Sequence, residues 1–135
     1  MASISEYLVS LFGIDLNDRY VSEALNPEDN RRLAEVGDGV LDLIVKETVY
    51  LKGGDAKGID DARQSVATKE RHRDLVKSDE RLKKLLLDRQ WNIHDNSVGL
   101  QRSDDLVEAI IGAIYFSKGL DSARDFIKII YGLEG

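Results

Sequence analysis

Cysteine is absent from this chain, and proline occurs once, as Pro27. Without thiols there is no disulfide and no thiolate metal site, and the composition fits a reducing, cytoplasmic interior. No signal-peptide pattern and no apolar run of membrane-spanning length is present, so no membrane association is expected. Sustained strand alternation, internal repeats and low-complexity tracts are missing too. What remains is 135 residues, 42% hydrophobic and 33% charged, read as a single all-α domain over residues 1–135.

A net charge of −6 argues mildly against nucleic acid, but the charge is uneven. Residues 1–62 carry 13 acids and 6 bases (net −7), residues 63–89 carry 5 and 9 (net +4), and residues 90–135 carry 7 and 4 (net −3). The basic stretch includes Arg63, Lys69, Arg71, Arg73, Lys77 and Arg81. A local basic surface can track phosphates on an acidic protein. A solvated helical face is the more common explanation of such a run.

The chain is organised around a helix from Asp29 to about Leu51, where Leu33, Val36, Val40, Leu41, Ile44, Val45, Val49 and Tyr50 recur at helical spacing. Gly37-Asp38-Gly39 interrupts that pattern. Each glycine costs about 1 kcal/mol relative to alanine inside a helix, and what it offers in return is close approach of another backbone. Before this helix, Ser3 or Ser5 caps a first helix that Gly13 stops, and a second short helix from Asp15 or Asn17 ends at Asn26-Pro27. After it, Lys52 to Gly58 reads as a polar glycine-rich loop. Further helices are expected from Ile59 to about Lys69, from Ser78 with Leu82, Leu85, Leu86 and Leu87 inward, from Ser103, and from about Asp121. Residues 91–100 read as a loop with Trp91 a partly buried anchor. His72 and His94 read as surface residues, and Tyr115 and Phe116 as core.

The helix from Ser103 repeats the peculiarity of the central one. Asp105, Glu108 and Gly112 share a face otherwise rich in Ile and Val, where carboxylates are expensive unless paired or bound to a cation. Gly112 on one helix and Gly37 or Gly39 on the other would let the two cross closely and bring Asp38, Asp105 and Glu108 together. Spacing alone leaves two readings open. The acids serve a helix dipole, a salt bridge and a local hydrogen bond, or they hold a hard divalent cation, which activates water in phosphodiester hydrolysis.

At these residues the chain resembles a known family. NRRLAEVGDGVLDLIV and DDLVEAIIGAIYFSKGLDSARDFI are similar to the two signature helices of the ribonuclease III catalytic domain. FGIDLNDRYVSEAL is similar to its entry helices and ARQSVATKE to its following basic helix. The resemblance implies a ribonuclease III-type helical endonuclease domain, with Asp38, Asp105 and Glu108 as Mg2+ ligands (Mn2+ as a substitute), and Asp38 and Glu108 as the essential catalytic pair. It departs at Ala34 and Arg31, where the family usually has glutamates, and at Glu35, where it usually has an apolar residue packed at the dimer interface. Ala34 and the V-A-T-K run at Val66 to Lys69 are similar to the mini-ribonuclease III subgroup, which has no double-stranded-RNA-binding domain. The expected activity is cleavage of double-stranded RNA by a homodimer, with Arg63, Lys69, Arg71 and Arg73 contacting phosphates. The rivals are a non-catalytic RNA-binding or ribosome-associated scaffold, and a helical interaction module with no RNA role.

Overall fold

A computed structural model describes residues 3–89, 91 and 102–133, and among these residues all regular structure is helical. Eight helices among the described residues follow in order: α1 (Ile4–Phe12), α2 (Arg19–Ala24), α3 (Arg31–Leu51), α4 (Ala56–Val66), α5 (Lys69–Lys77), α6 (Glu80–Asp88), α7 (Ser103–Lys118) and α8 (Leu120–Tyr131). The two longest, α3 and α7, pack against each other at the centre. Along α7 the residues Leu106, Val107, Ala109, Ile110, Ile111, Ala113 and Ile114 are all fully buried, as expected of a helix surrounded by others. By contrast, α3 buries one stripe, Leu33, Ala34, Gly37, Val40, Leu41, Ile44, Val45 and Thr48, and leaves its other side to solvent. Helices α2, α5 and α8 lie against α7, and α4 lies against α3. No helix among the described residues is long and apolar enough to cross a membrane.

Local chemistry starts and stops these elements. Side-chain oxygens of Ser3, Asp18, Asp55, Thr68 and Asp79 accept hydrogen bonds from first-turn amides of α1, α2, α4, α5 and α6, satisfying donors that have no intrahelical partner. Gly119, at φ 97°, turns the chain between α7 and α8 in a conformation that favours glycine.

Several sequence expectations are corrected here. The glycine-rich loop is shorter than Lys52 to Gly58, because Asp55 accepts from the Gly58 amide at 2.8 Å and α4 already begins at Ala56. The helix expected to reach Lys69 ends at Val66, and Thr68 caps a separate helix, α5. Asp79, not Ser78, caps α6, and α7 begins at Ser103 without a side-chain cap at Arg102. Tyr115 and Phe116 are not core: they are 37% and 48% exposed, with Phe116 stacked on Tyr20 at a centroid distance of 5.3 Å. Leu87, expected on the core side of α6, is 39% exposed. Trp91 is buried and its indole N–H donates to the Leu25 carbonyl at 2.8 Å. His94 and the rest of the expected loop, 92–100, lie outside the described residues.

Candidate active site

Two missing side chains create the site. A Cβ on Gly37 would lie 1.6 Å from the Glu108 carbonyl oxygen, and one on Gly112 would lie 2.5 Å from the Leu33 carbonyl oxygen. The α3 and α7 backbones are therefore in direct contact over one turn, with Gly37 facing Glu108 and Gly112 facing Leu33. Gly39 has nothing among the described residues within 4 Å of its notional Cβ and plays no part in the approach. Because Asp38 follows Gly37, its carboxylate leaves α3 at the rim of the crossing, where 56% of the side chain remains exposed. Glu108 enters from α7 and is deeper, 13% exposed.

Between them lies Arg63. It projects from the last turn of α4, and its Nη2 donates to Asp38 Oδ1 at 2.7 Å and to Glu108 Oε2 at 2.6 Å. Nη1 donates to the Ala67 carbonyl at 3.0 Å, while Nε is buried without a partner among the described residues. Arg63 was expected on the phosphate-binding surface; instead its guanidinium is turned inward, 18% exposed. Burial pushes the Glu108 carboxyl up to about 8, helped by its hydrogen bond to Asp38 and that residue's charge, against the pull of Arg63. Asp38 behaves oppositely. Its burial raises the pKa, but hydrogen bonds with Glu108 and Arg63 and the guanidinium charge outweigh that and lower it. One cation shared by two acids leaves a proton on the more buried of them.

Asp105 is half-buried in the first turn of α7 and makes no hydrogen bond or ion pair with either acid among the described residues. Its neighbour Asp104 contacts the Nδ1 of His72. His72, expected at the surface, is buried, because α5 packs it against α7 and α8. Its Nε2 pairs with the Tyr131 hydroxyl at 2.6 Å, so both ring nitrogens are satisfied. Burial lowers the His72 pKa, with Asp104 pulling upward and Arg63 and Arg71 adding to the downward shift. Arg71 donates from Nη2 to the Tyr131 carbonyl at 2.8 Å, which ties α5 to the end of α8. Lys69 and Arg73 are exposed on α5. The buried His72–Asp104–Tyr131 chain escaped sequence reasoning because α5 itself did. The available signal was Thr68 followed by Lys-Glu, a capping pattern at a helix start.

The donor set fits a hard divalent cation in its chemistry: two carboxylates from separate helices converge on one cationic nitrogen, with no cysteine in the chain to supply a thiolate. That nitrogen belongs to Arg63, and no three acid or histidine side chains among the described residues are arranged to hold an ion.

A helical assembly whose central helices touch at glycines and present an acid pair at the contact defines the class. Comparison with family models then gives the family: the Ribonuclease-III-like model matches residues 19–132, and the chain belongs to that family. A Ribonuclease 3 of Moorella thermoacetica is 35% identical over 134 residues, covering 91% of this chain and 55% of that protein. One from Syntrophomonas wolfei is 34% identical over 113 residues (80% and 47%), and one from Mycolicibacterium paratuberculosis is 31% identical over 147 aligned positions (93% and 59%). The chain spans about half the length of the curated relatives it matches. No solved structure matches it.

Proposed function

We propose that this chain is an Mg2+-dependent endoribonuclease that cuts double-stranded RNA as a cytoplasmic homodimer, with one active site per subunit. The observation that carries the reading is the convergence of Asp38 and Glu108 on a single cation position at the Gly37–Gly112 crossing. Asp38 and Glu108 would hold the ion, with Asp105 contributing from the same end of α7. The bound ion supplies an activated water and a counter-charge for the leaving oxygen. Asp38, open to solvent, leaves the position accessible to a phosphate from outside, while Glu108 is anchored by the buried α7 backbone. Lys69, Arg71 and Arg73 offer cations on α5 for the strand backbone. An A-form duplex is recognised there by shape, with little base information. Association with a second copy is supported by apolar surface on α3, where Leu43 and Tyr50 are 49% and 67% exposed.

A specific observation also favours a second reading, the non-catalytic RNA-binding scaffold. Arg63 fills the cation position, and Ala34 and Arg31 provide no carboxylate near it. Incubation of a long RNA duplex with Mg2+, with EDTA and with Asp38→Asn separates the two. Metal-dependent cleavage lost in Asp38→Asn supports the nuclease. RNA binding without metal-dependent cleavage overturns it in favour of the scaffold.

A further inference from the structure

We propose that Arg63 is an intramolecular stand-in for the divalent ion: its guanidinium holds Asp38 and Glu108 together in the metal-free protein and must swing out for the ion to enter. The inference rests on the metal reading of the site and adds its regulation. Nothing in the chemistry of two carboxylates requires an arginine. Yet Arg63 reaches from α4 to place a single nitrogen against an acid of α3 and an acid of α7. A divalent ion held by Asp38 and Glu108 would therefore compete with the guanidinium for the same two carboxylates.

Three features make Arg63 a displaceable occupant. Its Nε is buried and has no partner among the described residues, so the inward position leaves one of the five N–H donors that a guanidinium carries without a protein acceptor there. The residue one helical turn before Asp38 is Ala34, which offers no side-chain acceptor to that nitrogen. One guanidinium charge also balances only one of the two carboxylates, whereas a divalent ion balances both. Opposing these, Nη1 is tied to the Ala67 carbonyl at 3.0 Å, next to the break between α4 and α5. This bond holds the side chain inward until a stronger cation displaces it. Once released, the guanidinium remains on the last turn of α4, beside the site and open to a phosphate.

Titration of Mn2+ into the RNA-free protein by calorimetry tests this, using wild type, Arg63→Met and Asp38→Asn. Arg63→Met keeps an unbranched apolar stem and removes the charge. It is expected to bind Mn2+ tighter than wild type by about tenfold to a hundredfold, because the charge-assisted hydrogen bonds to Asp38 and Glu108 no longer have to be broken. Asp38→Asn should lose binding. Equal or weaker affinity in Arg63→Met overturns the stand-in role while leaving the metal reading intact. Absence of Mn2+ binding in every protein overturns both.

A second measurement needs no variant. The Arg63 Nε–H should exchange slowly with water in nuclear magnetic resonance spectra of metal-free wild type, and at the rate of exposed Arg73 once Mg2+ saturates the carboxylates. Slow exchange persisting at saturation overturns the displacement.

Discussion

Gly37 faces Glu108 across the two central helices so closely that a methyl group at position 37 would sit 1.6 Å from the Glu108 carbonyl oxygen. The obstacle is backbone inside two packed helices, so it cannot move aside without separating them. Gly37→Ala is therefore expected to cost about 3 kcal/mol or more, or to prevent folding, through overpacking. Gly39, two residues on, has open space around it and sits inside the same helix. Gly39→Ala should leave stability unchanged or raise it by up to about 1 kcal/mol through helix propensity. Urea unfolding of both variants, read by circular dichroism, checks the pair, and comparable destabilisation by the two would contradict the crossing.

Glu108 makes the metal-free protein lose stability as pH rises. Its folded pKa is raised from 4.5 to about 8, so across that window the folded state keeps a proton that the unfolded chain has released. Stability then falls with increasing pH, because the native state binds more protons. The contribution is fully present below pH 4.5 and gone above about 8. Urea midpoints in EDTA across this range should decline for wild type and flatten in Glu108→Gln.

His72 acts with the opposite sign. Its folded pKa is lowered below 6.5 by burial, so below that pH the unfolded chain takes up a proton that the native state resists. Stability rises with pH through this window and is lost on acidification. Since Glu108 slopes the other way, the difference between wild type and His72→Gln is the quantity to measure. The variant should lose less stability than wild type between pH 7 and 5; a greater loss would mean that the buried imidazole is charged.

Asp79 joins the first helix to α6. Its carboxylate accepts from the Ser5 amide at 2.8 Å, the Ser5 hydroxyl at 2.6 Å and the Leu82 amide at 3.0 Å, while 5% exposed. Asp79→Ala leaves these donors unpaired and should cost about 2–4 kcal/mol, against about 1 kcal/mol for Ser5→Ala, which removes only the hydroxyl. Thermal unfolding would expose the error if the two variants proved equal.

The exposed cations of α5 should govern RNA affinity without governing the fold. Lys69→Glu and Arg73→Glu are each expected to weaken duplex binding and to reduce the slope of log affinity against log salt by about 1 or more. Filter binding at several salt concentrations measures this, and unchanged slopes would remove α5 from the RNA face.

Much of the helical order is written in periodicity and caps. The α3 stripe from Leu33 to Val45, the apolar run of α7 and the cap Ser3 follow from side-chain spacing and from orphan amides seeking acceptors, whereas α2 is capped by Asp18 and not by the expected Asp15 or Asn17. Elements that depend on a single residue were less legible. Thr68 separates α4 from α5, and a helix carried on to about Lys69 with the next one begun at Ser78 hides both α5 and the inward-facing His72. Tyr115 and Phe116 show the converse failure. Hydrophobicity near the end of a buried helix reads as core, but only neighbouring helices determine where coverage stops.

The sequence by itself determined an all-helical chain with two glycine-marked helices, each bearing an acid beside the glycine, because helical periodicity and the absence of a Cβ are local properties. Which glycine of the Gly37-Asp38-Gly39 run makes the contact, and which cation meets the acids, only the tertiary structure decided. Contact between α3 and α7 depends on how both helices are rotated, and the placement of Arg63 depends on where α4 ends relative to them. Such relationships between residues 25 and 45 positions apart leave no periodic trace along the chain.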